Sequence, residues 1–130
     1  MHHPRIAQCL SVHRAYATLR FQLDEELGTH HGIDFDDFAL LHQLADGGNE
    51  PAHFDSLAAS LGASRSAMLR RLRPLEKIGL LAFHGGVADR RVALRPAGRG
   101  LLNTAQDTVS GVCARPALMH DLSQLGAVLV

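Results

Sequence analysis

Apolar residues recur along this chain at helical spacing as far as about residue 78, then briefly in the manner of strands, then at helical spacing again. From about Arg5 to Leu27, the residues Tyr16, Leu19, Leu23 and Leu27 fall at steps of three and four, with Asp24, Glu25 and Glu26 on the other faces. That pattern predicts an amphipathic helix. Gly28 and the His30-His31-Gly32 turn are expected to end it. A second helix is predicted from about Asp34 to Ala45, carrying Phe35, Phe38, Leu41 and Leu44, and Asp46-Gly47-Gly48-Asn49 should stop it.

Two short helices follow in quick succession. Asp55 is a candidate cap for a helix Ser56–Leu61, with Phe54 covering its apolar face. Gly62 ends that helix and Ser64 caps the next, so only Gly62-Ala63-Ser64 separates them. So tight a turn makes two helices cross steeply, which is the helix-turn-helix geometry. In the second, Met68, Leu72 and Leu75 share a face that must be buried, while Ser66, Arg70, Arg73 and Lys77 share another that projects to solvent.

After Gly79 the pattern becomes extended. Leu80 to Phe83 and Val92 to Leu94 read as two strands around His84-Gly85-Gly86 and the charged run Ala88-Asp89-Arg90-Arg91, a hairpin with a charged tip. Pro96 suits the first turn of a further helix, running through Leu101, Leu102 and Ala105 toward Ala114. Pro116 opens a last one ending in Ala127-Val128-Leu129-Val130, apolar enough to require cover by a second subunit.

Composition narrows the class. With 130 residues, 46% apolar and 20% charged, the chain reads as one soluble globular domain and not as a disordered segment. No apolar run approaches the roughly 20 residues a bilayer crossing needs, and the opening Met-His-His-Pro-Arg lacks the apolar stretch of a signal peptide. Two cysteines, Cys9 and Cys113, are too few for a disulfide scaffold and point to a reducing cytoplasm.

The net charge of zero conceals a partition. Residues 1–61 hold three arginines against nine acidic residues, a balance of −6. Residues 62–100 hold nine basic residues against Glu76 and Asp89, a balance of +7. Such asymmetry predicts a localised anionic partner. A helix with basic and hydroxyl residues on its exposed face fits the roughly 12 Å major groove of B-DNA, and a basic hairpin beside it reaches the neighbouring minor groove or phosphates.

The run LAASLGASRSAMLRRLRPLEKIGLL at residues 57–81, followed by DRR at 89–91 and LRPAGRGLL at 94–102, resembles the winged helix-turn-helix of the MarR family (multiple antibiotic resistance regulators). The resemblance implies a mainly α fold with a small β-hairpin wing. It places dimerisation helices at about residues 1–30 and 98–130 and the winged helix-turn-helix at about 34–96, within a single domain. It implies a homodimeric transcriptional regulator, typically a repressor, binding a pseudo-palindromic operator in double-stranded DNA. Recognition-helix contacts would come from Ser64, Arg65, Ser66, Arg70 and Arg73, and wing contacts from Arg90 and Arg91, with Asp89 bracing Arg91. No cofactor is implied, and an aromatic or phenolic small molecule is a common effector in the family.

Three features depart from the family pattern. Pro74 lies inside the recognition helix and removes its bond to the Arg70 carbonyl; Ala82-Phe83-His84 is not basic; and Arg95 stands where a hydroxyl residue often precedes the next helix. Two alternative readings stay open at this stage. Cys9 and Cys113 are arranged as in thiol-based organic-hydroperoxide regulators of the family, although Tyr16 is the only tyrosine, and the winged helix also suits a protein-interaction module that does not bind DNA. Nine histidines raise metal binding, but adjacent histidines point to different sides, and no ligand spacing supports a site. No nucleophile motif, phosphate loop or dinucleotide fingerprint points to an enzyme.

Overall fold

Pro4 opens the first helix at a position where a missing amide proton costs nothing, and Gly32 closes it in the left-handed region at φ 71°, with its N–H bonded to the Gly28 carbonyl. In the computed structural model, which describes residues 3–48, 50–117, 120 and 123, helix α1 spans Pro4–His31 and is followed by α2 (Phe35–Asp46), β1 (Ala52–His53), α3 (Phe54–Ser60), α4 (Arg65–Lys77), β2 (Leu81–His84), a 3-10 turn (Val87–Asp89), β3 (Arg91–Leu94) and α5 (Pro96–Cys113). The three strands form an antiparallel sheet in the order β1-β3-β2. No described helix is long and apolar enough to cross a membrane. Most of the last helix expected after Pro116, including the apolar terminus Ala127 to Val130, lies outside the described residues.

The chain divides into two units, Met1–Phe35 with Ala105–Val130, and Asp36–Thr104. In the first, the buried residues are Leu23, Leu27, Ile33, Ala105 and Val112. Polar ties join α1 to the end of α5: Arg115 donates to Gln22 at 3.0 Å and to Glu26 at 2.9 Å, and His31 Nε2 lies 2.7 Å from the Thr108 hydroxyl. The chain leaves α1 through Asp24, whose carboxylate accepts from the Phe35 backbone N–H at 2.7 Å. Along α1, Ile6, Leu10, Tyr16 and Phe21 are exposed in the single chain.

The Arg115 guanidinium hydrogen-bonded to Glu26 holds that carboxyl below 4.5, helped by the charge of Arg115 and by His30 and opposed by partial burial. A carboxyl whose folded pKa is depressed adds stability above its unfolded pKa and loses it as pH falls through the folded value. Arg115→Ala is therefore expected to move the Glu26 titration up toward 4.5, read from its carboxyl carbon shift by NMR. An unmoved Glu26 titration would show that the pair does not form in solution.

The second unit carries the winged helix. Its buried residues are Phe38, Leu40, Leu41 and Leu44 from α2, Phe54, Leu57 and Ala58 from α3, Met68, Leu72 and Leu75 from α4, and Leu80, Leu81, Val92 and Leu102. Two expectations needed revision here. Asp55 does not cap α3: the N-cap position is His53, which makes no side-chain capping bond, and the helix begins at Phe54. Phe54 can begin it because its N–H is already satisfied by the Arg90 carbonyl at 2.9 Å. The hairpin is also part of a three-stranded sheet, since β1 adds Ala52 opposite Val92 and His53 opposite Arg91. Ser64 does cap α4, its hydroxyl oxygen accepting from Ala67 N–H at 3.1 Å, and the helix runs on through Pro74 to Lys77.

Candidate nucleic-acid interface

Helix α4 presents two faces with different partners. Its buried face, Met68, Leu72 and Leu75, meets the core, and Arg71 beside it is tied to α2, donating to Asp36 at 2.9 Å and to Asp37 at 3.3 Å. Arg99 is likewise committed within the unit, donating to the Gly48 carbonyl at 2.9 Å. These two of the nine basic residues between 62 and 100 thus serve the architecture.

The opposite face is exposed and carries Ser64, Arg65, Ser66, Arg70, Arg73 and Lys77. Ser64 uses its oxygen as the helix cap, which leaves its hydroxyl proton free to donate outward. Arg65 pairs with Asp55 and lies over the Phe54 ring, 4.9 Å from its centroid. Arg73 pairs with Glu76 at 2.9 Å and lies 4.4 Å from the centroid of Phe83. Arg70 has no ion-pair partner among the described residues, so its guanidinium meets solvent directly. Ser66 and Arg70, one turn apart on this face, stand between the two held arginines.

The wing separates its two arginines by parity. Val92 is fully buried, and side chains alternate across a strand, so Arg90 shares the face of Val92 whereas Arg91 points to the other. Arg90 accordingly leans over two rings, 5.5 Å from Phe83 and 6.0 Å from Phe54. Arg91 sits on the central strand with His53 opposite on β1 and His84 opposite on β2. Asp89 Oδ1 lies 3.7 Å from Arg91 Nη2 and 3.2 Å from His53 Nε2, so the aspartate is shared between them. The row His53-Arg91-His84 escaped the sequence reading, because a two-residue strand leaves no periodicity to detect. The parity of Arg90 and Arg91, by contrast, was readable from Val92 and Leu94.

Elsewhere, a cavity of about 280 Å³ lies between α2 and the helix-turn-helix, its lining including Asp36, Leu40, Met68 and Arg71. Cys9 is exposed and Cys113 half-buried, both as free thiols. Among the described residues no group of three His, Cys, Asp or Glu side chains is placed to hold a metal ion.

The chain, which opens on a long helix and carries a helix-turn-helix with a basic exposed face and a three-stranded wing, matches many solved structures. AbsC, a MarR family transcriptional regulator from Streptomyces coelicolor, superposes with a TM-score of 0.78 at 15% identity, over 95% of this chain and 90% of that one. The fold is that of the MarR family. The Mycobacterium tuberculosis regulator MOSR, solved in complex with DNA, matches with a TM-score of 0.70 at 26% identity, over 93% of this chain and 95% of that one. CouR from Rhodococcus jostii RHA1, solved with p-coumaroyl-CoA, matches with a TM-score of 0.70 at 21% identity, over 81% and 74% of the two chains. No protein-family model and no curated protein sequence matches the chain.

Proposed function

We propose that this protein is a DNA-binding transcriptional regulator of the MarR type, working in the cytoplasm as a homodimer on a pseudo-palindromic operator. The observation that carries the reading is the exposed face of α4, where Arg70 is unpaired among the described residues between the ring-held Arg65 and Arg73, on a fold that MOSR uses in a solved DNA complex. Ser64, Arg65, Ser66, Arg70 and Arg73 would meet the major groove, and Arg90 and Arg91 the adjacent backbone or minor groove, with Asp89 orienting Arg91. Arginine suits both places, because its planar fork pairs bidentately with guanine edges or phosphates and is drawn into the negative potential of a narrow minor groove.

The dimer follows from what the single chain leaves uncovered. Ile6, Leu10 and Phe21 are 56%, 48% and 65% exposed along α1, an apolar surface that a second copy would bury. A mass near twice the 14.0 kDa chain in solution is the expected result. The likeness to CouR supports a small aromatic or phenolic effector as the signal that changes operator affinity.

Duplex binding over a salt series tests the reading. Each phosphate contact releases a condensed counterion, so affinity for an operator selected from a random duplex pool should fall about 10³-fold or more between 50 and 200 mM salt if six or more contacts are made. A folded dimer that binds no duplex, or binds with an affinity indifferent to salt, refutes the proposal in favour of a winged-helix protein-interaction module.

A further inference from the structure

Three guanidinium groups from two different parts of the candidate interface converge on two phenyl rings. Arg65 lies over Phe54 at 4.9 Å, Arg73 over Phe83 at 4.4 Å, and Arg90 reaches both rings at 6.0 and 5.5 Å. Phe54 is 1% exposed and so fixed by the core, whereas Phe83 stands half-buried on β2 where α4 packs against that strand. Arg90 has no carboxylate within ion-pair distance among the described residues, and its own carbonyl is bonded to the Phe54 N–H. What holds its side chain is aromatic.

The chemistry of this contact matters for binding anions. A guanidinium attracted to the negative face of a ring offers that ring its flat side, and its N–H donors lie in the guanidinium plane and remain available at the edge. A carboxylate partner would instead occupy those donors. Arg73 belongs to the helix and Arg90 to the wing, so one ring fixes the position of two cations that must meet the same duplex at different points.

We propose that Phe83 is a positioning residue for nucleic-acid binding: its ring holds Arg73 of the recognition helix and Arg90 of the wing in register, with the donor edge of Arg90 open to phosphate and Arg73, whose Nη1 is bonded to Glu76, keeping its remaining donors for it. The proposal rests on the DNA-binding reading above. It adds an uncharged residue, which itself contributes no counterion release, to the set that determines affinity.

The test uses the full-length protein and an operator selected from a random duplex pool. Phe83→Leu keeps an apolar side chain and removes the ring, and should weaken operator binding about 5- to 20-fold, whereas Phe83→Tyr keeps the ring and should bind within about twofold of wild type. In a background of Arg73→Ala and Arg90→Ala the effect of Phe83→Leu should shrink to twofold or less, because a residue that acts through others loses its effect with them. In the free protein the side-chain methylene protons of Arg73 and Arg90 should show upfield ring-current shifts that Phe83→Leu abolishes and Phe83→Tyr retains. This reading stays available should Phe83→Leu prove unstable. Phe83→Leu binding as wild type, an undiminished Phe83→Leu effect in the double-alanine background, or unshifted arginine protons would each overturn the proposal. Loss of binding in Arg91→Ala with any of those results leaves the DNA-binding reading intact, while absence of duplex binding by the wild type removes both.

Discussion

Arg91→Ala should weaken operator binding at least about 30-fold while leaving thermal stability almost unchanged. The affinity loss follows from the proposed role of Arg91: a charge-assisted bond to a phosphate or groove acceptor is worth about 1–3 kcal/mol, and the proposed homodimer would present it twice. The stability is spared because the side chain is 44% exposed and its only ion pair among the described residues, to Asp89 at 3.7 Å, is long. Such exposed pairs contribute under about 1 kcal/mol, and Asp89 keeps its closer partner His53 at 3.2 Å. The salt dependence should fall by about one counterion for each Arg91 removed. Arg70→Ala provides the matching variant on the helix, and a mutant dimer of Arg91→Ala with wild-type affinity and wild-type salt slope would take Arg91 out of the interface.

The parts of this molecule that were legible in the sequence are those where local pattern and tertiary demand coincide. Met68, Leu72 and Leu75 share one helical face and are buried, and Ser64 caps the helix they sit on. Where a distant partner decides, local pattern misleads. Asp55 reads as a cap because it precedes a short apolar helix, yet Phe54 already has its N–H bonded to Arg90, so the helix starts two residues earlier and the carboxylate is released to pair with Arg65. Gly28 reads as a stop, since glycine costs about 1 kcal/mol in a helix interior. The helix nevertheless continues to His31, because that last turn gains His30 beside Glu26 at 3.3 Å and His31 beside Thr108 at 2.7 Å. Strand β1 is two residues long and exists only because β3 offers it an edge. The candidate interface divides in the same way: the basic stripe on α4 was visible from spacing, but the rings of Phe54 and Phe83 that hold its arginines come from other elements.

Gly98→Ala and Gly100→Ala, two residues apart in the same helix, should change stability in opposite directions. On propensity alone both should stabilise, because alanine is about 0.5–1 kcal/mol better than glycine inside a helix. Nothing lies within 4 Å of where a Cβ at Gly100 would stand, so that substitution should realise the gain. A Cβ at Gly98 would instead overlap the Leu80 carbonyl oxygen and press to 3.1 Å from Leu94 Cδ2. That carbonyl cannot simply withdraw, for it accepts the Arg95 N–H at 2.9 Å and thereby fastens the start of α5 to the residue that precedes β2. Overpacking of this kind costs about 1–3 kcal/mol, and displacing the hydrogen bond adds about 1 kcal/mol. Set against the propensity gain, the net loss is about 1–3 kcal/mol, which for a domain of this size lowers the melting temperature by roughly 4–15 °C. The damage should also reach function, since β2 carries Phe83 and pairs with β3, the strand of Arg91. A wing detached at its base cannot hold its arginines against the duplex, so operator affinity should fall in Gly98→Ala even at temperatures where the rest of the unit stays folded. Equal melting temperatures for the two alanine variants would show that α5 does not approach β2 this closely in solution.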